Sequence, residues 1–331
     1  MPRTAFAAVG TYTPDRLVTN EELTHLMETS DEWITQRTGI KERHWVAPGQ
    51  GNSDMALEAT RRALDTAGWK ASDIEAIVYA TLSVDHMFPG DGCFLNAKLG
   101  LPGVPALDVR NQCSGFIYGL AVADAWIRTG MYRRVLLVGS EVHSTGLDVS
   151  TRGRDVAVIF GDGAGAALLE ATDDPDRGVL SCHLHADGRH AEVLWTDQPG
   201  SLYNPRISKE MLEGTGIYPH MEGQKVFKHA IVRMPEVMRE ALSKNGLAPS
   251  DLKVLIPHQA NLRISEVVQK ALELRDDQVF NNIQKYGNTT AASIPLALAE
   301  AVKERGVKRG DLVGLCAFGA GFTWASALLR W

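Results

Sequence analysis

Short apolar runs punctuate the chain: "AIVYA" (76–80), "VLLVG" (135–139), "VLIP" (254–257) and "VGLCAFG" (313–319). Each is short for a helix and is bounded by polar or turn-forming residues, which predicts buried strands. Other stretches place apolar residues at three- and four-residue spacing and stop at glycine, as in "RRALDTAG" and "REALSKNG". These read as amphipathic helices with a glycine C-cap. Alternation of the two kinds of element predicts a layered α/β architecture.

The pattern is written twice. "RRALDTAGWKASDIEAIVYA" (61–80) aligns without gaps on "REALSKNGLAPSDLKVLIPH" (239–258), an offset of 178 that takes Gly68 to Gly246 and Asp73 to Asp251. The same offset carries "VLLVGSE" onto "VGLCAFG". Between these pairs, "LDVRNQCSGFIYGLAVADAWIRTG" resembles "NNIQKYGNTTAASIPLALAEAVKERG" at a slightly smaller offset, each reading strand, polar turn, helix, glycine stop. Matches in one order predict two homologous halves, 1–173 and 174–331, joined within the charged stretch "EATDDPDRG". Residues 189–221 are the least regular segment and read as a long excursion of the kind that covers a site. "GDGAGAALLE" has no helix following it, so it reads as a tight turn into a strand rather than a nucleotide loop.

Composition narrows the function classes. The 34 basic and 40 acidic residues are interspersed and leave a net charge of −6, so no basic face for nucleic acid is expected. No apolar run approaches a membrane span, and the N-terminus reads into a strand rather than a signal peptide. Cys93, Cys113, Cys182 and Cys316 are far apart, without a CxxC pair, which predicts neither a zinc ribbon nor a disulfide framework and suits a cytoplasmic protein. "CHLHADGRH" contains metal-capable side chains in no zinc-site order, and no metal is expected there.

Three residues carry candidate chemistry. Cys113, in "VRNQCSGFIYGLA", precedes an apolar helical run; unpaired N–H groups at a helix start lower a thiol's pKa, so it reads as a nucleophile, with an inert buried thiol as the alternative. His258 ends the strand that corresponds to Ile74–Ala80. Asn288, in "KYGNTTAASIP", opens the helix taken as equivalent to that of Cys113, where an N-cap is the plain role. In a pseudo-twofold structure equivalent strand ends and helix starts can converge, which predicts that Cys113, His258 and Asn288 meet.

The stretches "TSDEWITQRTGIKERH", "CSGF", "FGDGAGA", "HLHADG", "PHQANLRI", "GNTTAAS" and "FGAGFTWASALLRW" give the chain a resemblance, over its whole length, to the β-ketoacyl-acyl carrier protein synthase III family of thiolase-like condensing enzymes. The resemblance implies a duplicated αβαβα fold and a decarboxylating Claisen condensation of an acyl-CoA primer with malonyl-acyl carrier protein, initiating fatty-acid synthesis. Acyl-CoA would be a substrate, with no cofactor required. Cys113 would carry the acyl group, His258 and Asn288 would donate to the enolate oxygen, and the backbone N–H groups of Cys113 and Ala320 would form an oxyanion hole. Phe318 would sit beside the thiol.

By the same resemblance Trp33, Arg37 and Thr38 would bind coenzyme A, continued by Arg152 or Arg154, and Ala260 and Asn261 would meet the pantetheine arm. Lys228 and Arg263 would dock the acidic carrier protein. Phe88 would close the acyl pocket of the other protomer, which implies a homodimer. Three departures stand out: Asn111-Gln112 before the nucleophile, Ala320 within a turn that is commonly all glycine, and the length of the 189–221 excursion. A specialised acyltransferase or a condensing enzyme of secondary metabolism on the same scaffold is the alternative; retention of both His258 and Asn288 favours condensation.

Overall fold

The apolar runs form the centres of two sheets. In the computed structural model, which describes residues 1–331, the first sheet has the order β1 (Arg3–Tyr12), β5 (Gly163–Thr172), β4 (Arg134–Glu141), β2 (Ala76–Ala80), β3 (Ala106–Val109). Strand β2 is parallel to β3 and β4, and β5 is antiparallel to β4 and β1. The second sheet has the order β7 (Val254–Pro257), β8 (Leu312–Gly319), β9 (Thr323–Arg330), β6 (Gly178–Ala186), with only β7 and β8 parallel. The chain passes from one sheet to the other between Thr172 and Gly178.

Register repeats as well as order. Val78 lies opposite Leu137 in the first sheet, and their counterparts Ile256 and Leu315, each 178 residues on, lie opposite one another in the second. Helices α4 (Gly115–Arg128) and α7 (Ser293–Glu304) start at the same offset and lie between the sheets. The outer faces are covered by α2 (Asn52–Ala67) and α3 (Asp91–Leu99) on the first sheet and by α5 (Gly223–Lys244) on the second, with α6 (Leu262–Ala271) against α5. The short helix α1 (Asp31–Thr38) packs on α6. The result is the layered αβαβα stack expected from the resemblance.

The middle layer is apolar because it has sheet on both sides. Phe116, Ile117 and Leu120 of α4 are fully buried, and with Val78, Leu137, Leu315 and Ala327 they belong to one core cluster drawn from both halves. Gly119 lets α4 lie this close: a Cβ there would stand 2.7 Å from Leu137 Cδ1.

A core shared in this way predicts one cooperative urea transition, with far- and near-ultraviolet circular dichroism superimposing. Two separated transitions, one per half, would contradict it. Phe116→Ala should cost about 3–5 kcal/mol in the same experiment.

Candidate active site

Local sequence builds two matching turns at the ends of the central strands. Gln112–Ser114 and Thr290–Ala292 each form a tight helical turn that leads into α4 and α7. Both begin on a residue held in the left-handed region, Gln112 at φ +44° and Thr290 at φ +49°. The offset therefore stays at 178 through the turns, and the counterpart of Cys113 is Ala291. The expectation that Asn288 opens the equivalent helix is corrected: it lies three residues before Ala291. Its backbone N–H donates to Ile159 O at 2.9 Å, its carbonyl accepts from Gly161 N at 3.1 Å, and its side-chain Oδ1 accepts from Thr290 N at 2.8 Å. Its role is a local turn beside the site rather than a helix cap, and the Oδ1 bond commits Nδ2 to the open side.

One cavity of about 710 Å³ is lined by Cys113, His258, Asn288, Phe318 and Gly319 together with Trp33, Arg37, Thr38, Lys228, Ala260, Asn261 and Arg263. The three residues singled out for their chemistry thus share one space although far apart in sequence. Cys113, His258 and Asn288 are almost wholly buried, whereas Arg37 and Arg263 are exposed, so the cavity runs from a charged rim to an apolar floor. Phe318 packs on Phe322 at 4.8 Å between ring centroids and walls the floor.

Gly319, the last residue of β8, sets how near the thiol the second sheet can come. A Cβ at this position would lie 2.5 Å from Cys113 Cβ and 2.8 Å from Sγ. The next residue, Ala320, aims its backbone N–H at the sulfur, as does the N–H of Cys113 itself. Ala320 keeps an ordinary φ; the unusual angle falls on Gly321 at φ +127°. The non-glycine residue in this turn therefore brings no strain.

The protonation states differ from the expectation of a helix-activated thiolate. Burial, aided by the nearby Glu141 carboxylate, pushes the Cys113 thiol up to about 12, outweighing the backbone N–H groups that favour the anion. The resting side chain is therefore a thiol. Burial also holds His258 neutral, its pKa lowered to about 3. His258 Nδ1 lies 2.6 Å from Ser293 Oγ, which also accepts the Gln259 N–H at 3.4 Å. With no other acceptor in reach, the Ser293 hydroxyl donates to Nδ1, and the imidazole proton sits on Nε2. Nε2 is buried and has no protein partner, so its N–H is left unpaired in a residue that lines the cavity.

Glu141, at the end of β4, is buried without a cation. It accepts from Thr81 Oγ1 (3.1 Å), Leu82 N (3.1 Å), Ser83 N (3.2 Å) and Ser83 Oγ (2.5 Å), and the Ala291 N–H is aimed at it. Burial raises its pKa to about 7 against these donors.

Other expected residues fall into place or move. Trp33 has the guanidinium of Arg37 over its ring at 4.3 Å and that of Arg154 at 4.8 Å. Arg152 instead pairs with Asp148 at 2.6 Å and leans on Tyr218. Of the two arginines, Arg154 is the one that reaches the ring of Trp33. Thr38 lines the cavity but its hydroxyl is taken by Ile34 O at 2.7 Å. Asn261 caps α6 and donates to Arg37 O at 2.9 Å, tying α6 to α1. In the 189–221 excursion, Leu194–Trp195 pairs with His220–Met221, and Leu194 and Met221 line the cavity. Phe88 is 82% exposed and takes no part in its own chain's cavity. In "CHLHADGRH", His183 and His185 are bridged by Glu240, and His190 stacks on Phe322.

A cysteine under two backbone N–H groups, with an imidazole and an amide across one cavity on a duplicated αβαβα core, defines a thiolase-like condensing enzyme that works by acyl transfer. Family models described as 3-oxoacyl-[acyl-carrier-protein] synthase III match residues 107–188, and residues 242–331 for its C-terminal part. A β-ketoacyl-[acyl-carrier-protein] synthase III of Rhodospirillum centenum is 46% identical over 99% of each chain, and one from Xanthomonas campestris is 47% identical over 98% of this chain and 97% of the relative. The crystal structure of the Aquifex aeolicus 3-oxoacyl-[acyl-carrier-protein] synthase III superposes with a TM-score of 0.91 at 40% identity, covering 99% of this chain and all of that one. This chain belongs to the 3-oxoacyl-[acyl-carrier-protein] synthase III family.

Sequence reasoning assigned no role to Gly319, Ser293 or Glu141. The offset that maps β4 onto β8 pairs Glu141 with Gly319 and was the one available signal. Gly319→Ala should displace Cys113 and lower its acylation at least tenfold while the fold survives. Intact-mass measurement after mixing with an acyl-CoA checks this, and an unchanged rate would contradict the close approach.

Proposed function

We propose that the chain initiates fatty-acid synthesis by condensing an acyl-CoA primer with malonyl-acyl carrier protein to give a 3-oxoacyl-carrier protein. The observation that carries this reading is the convergence of Cys113, His258 and Asn288 on one buried cavity. Cys113 attacks the thioester carbonyl, the C–S bond to coenzyme A breaks, and an acyl-Cys113 remains. Backbone N–H groups of Cys113 and Ala320 hold the oxyanion of the tetrahedral intermediate. Malonyl-carrier protein then loses carbon dioxide, and its enolate carbon attacks the acyl-Cys113 carbonyl. His258 Nε2–H and Asn288 Nδ2–H donate to the enolate oxygen. Two neutral donors suit this step, because neither brings a negative charge to a developing anion.

Trp33 offers an aromatic face to adenine, with Arg37 and Arg154 to cover it or meet phosphate. Ala260 and Asn261 flank the pantetheine arm, and Lys228 and Arg263 on the rim suit an acidic carrier protein. The reading includes a homodimer, supported by the free edge strand β3: Leu107 on that edge and the nearby Met87 and Phe88 are exposed apolar side chains. Burying this patch against a second copy would carry Phe88 to the partner's acyl pocket. Four free cysteines suit the reducing cytoplasm. No helix is long and apolar enough to cross a membrane.

Cys113→Ala should abolish the acyl-enzyme mass, and persistence of a thioester elsewhere on the chain would remove Cys113 as nucleophile. His258→Ala should still accept the acyl group but lose malonyl decarboxylation by about a hundred- to a thousandfold, the usual cost of one such donor. Equal loss of both steps would contradict the donor role. Arg154→Ala should weaken coenzyme A binding by calorimetry about tenfold, the size of a lost cation–π contact, and Arg152→Ala much less. The reverse order would move the adenine site.

A further inference from the structure

The Cys113 proton needs an acceptor, and His258 cannot be that acceptor. Its Nδ1 lone pair is taken by the Ser293 hydroxyl at 2.6 Å, and its Nε2 carries the proton. The sulfur is buried as a thiol, so the proton is still present when an acyl group arrives. The side chain that hydrogen-bonds the sulfur is Thr290, through its hydroxyl, whereas the nearby Glu141 carboxylate is occupied by its own donors. Thr290 Oγ1 in turn lies 2.7 Å from Nε2 of His143.

His143 is built into this position. Its ring packs on Phe160 at 4.5 Å between centroids, and its backbone N–H donates to Asp162 Oδ1 at 2.7 Å. It is 7% exposed, and burial alone keeps the imidazole neutral, so one of its two ring nitrogens carries a lone pair. Thr290 is a β-branched residue held in the left-handed region at φ +49°, and its hydroxyl faces both the sulfur and the imidazole.

We propose that Thr290 and His143 form a proton relay that deprotonates Cys113 during acylation. The inference rests on the reading of Cys113 as the nucleophile. As the sulfur bonds to the thioester carbonyl carbon, its proton passes to Thr290 Oγ1 while the proton of Thr290 passes to His143 Nε2. The imidazolium formed is one hydroxyl away from the new C–S bond. When the tetrahedral intermediate collapses and the bond to coenzyme A breaks, the proton returns through Thr290 to the departing thiolate. His143 acts through Thr290, never on the substrate, and the decarboxylation step does not use it.

The test is alkylation of Cys113 by iodoacetamide, followed by mass spectrometry of the full-length protein. It needs no acyl substrate and so is independent of the coenzyme A assignment. His143→Gln keeps a hydrogen bond to Thr290 but cannot take up a proton; it should alkylate about 100-fold more slowly, within the usual range for general-base loss. Thr290→Val should be slowed similarly, and Thr290→Ser, which restores the hydroxyl, should recover most of the rate. In the partial reactions His143→Gln should lower the acyl-CoA burst about 100-fold and change malonyl decarboxylation less than about threefold. Alkylation of a folded His143→Gln protein within twofold of the wild-type rate overturns the relay. So does equal loss of acylation and decarboxylation, which would mark a merely structural role. A wild-type protein that alkylates with this variant pattern but is not acylated by acyl-CoA would sink the proposed function and leave the relay standing.

Discussion

The site depends on how closely two helix-opening turns, Gln112–Ser114 and Thr290–Ala292, can be pressed together at the ends of the central strands. Each turn comes from one half of the duplication, and each is held by the sheet of the other half. Gly319 of β8 supports Cys113, and Gly139 of β4 supports Ala291, where a Cβ would stand 2.4 Å from the Ala291 carbonyl oxygen. Neither strand tolerates a side chain at its contact, because the gap has been filled by the opposing backbone. The shared core holds this geometry: α4 and α7 can move apart only if the apolar layer between the sheets opens.

That pressure has an electrostatic consequence. A thiol, two imidazoles and a carboxylate are buried around the two turns, and burial penalises the charged form of each. Cys113 and Glu141 are pushed up, His143 and His258 down. The donors around Glu141 counter its shift in part. The resting site is thus close to neutral apart from that carboxylate, and charge develops during reaction only where N–H groups already point. Such an arrangement needs little reorganisation in the transition state.

Much of this was legible in the sequence, for identifiable reasons. The strands read correctly because buried β segments are continuous apolar runs, and the duplication made His258 and Cys113 interpretable as ends of matched elements. Asn288 was assigned to the wrong counterpart because the turn sequences diverge, so a similarity-based alignment slipped by a few residues while the backbone kept its offset. Arg152 and Arg154 were inseparable for a related reason: two residues along a chain change the face a side chain presents, and it is Arg154 that meets the ring of Trp33. The thiol's protonation was misjudged because a helix start is visible in sequence whereas depth of burial is not. His143 and Ser293 carried no signal at all, since their partners lie 147 and 35 residues away.

The carboxylate of Glu141 sets the two halves of the duplication apart. Under the pseudo-twofold, Ala291 stands for Cys113, Val142 for Ala320 and Ala80 for His258. The Ala291 N–H that meets Glu141 is therefore the counterpart of the Cys113 N–H that points at the sulfur. The first half has the same socket for an oxyanion, but it is stoppered from within by a side chain and has neither a sulfur nor an imidazole beside it. Where Glu141 fills one socket, Gly319 leaves the other open. A duplicated scaffold is thereby left open in only one of its halves, and the asymmetry between them is decided at a single pair of matched positions.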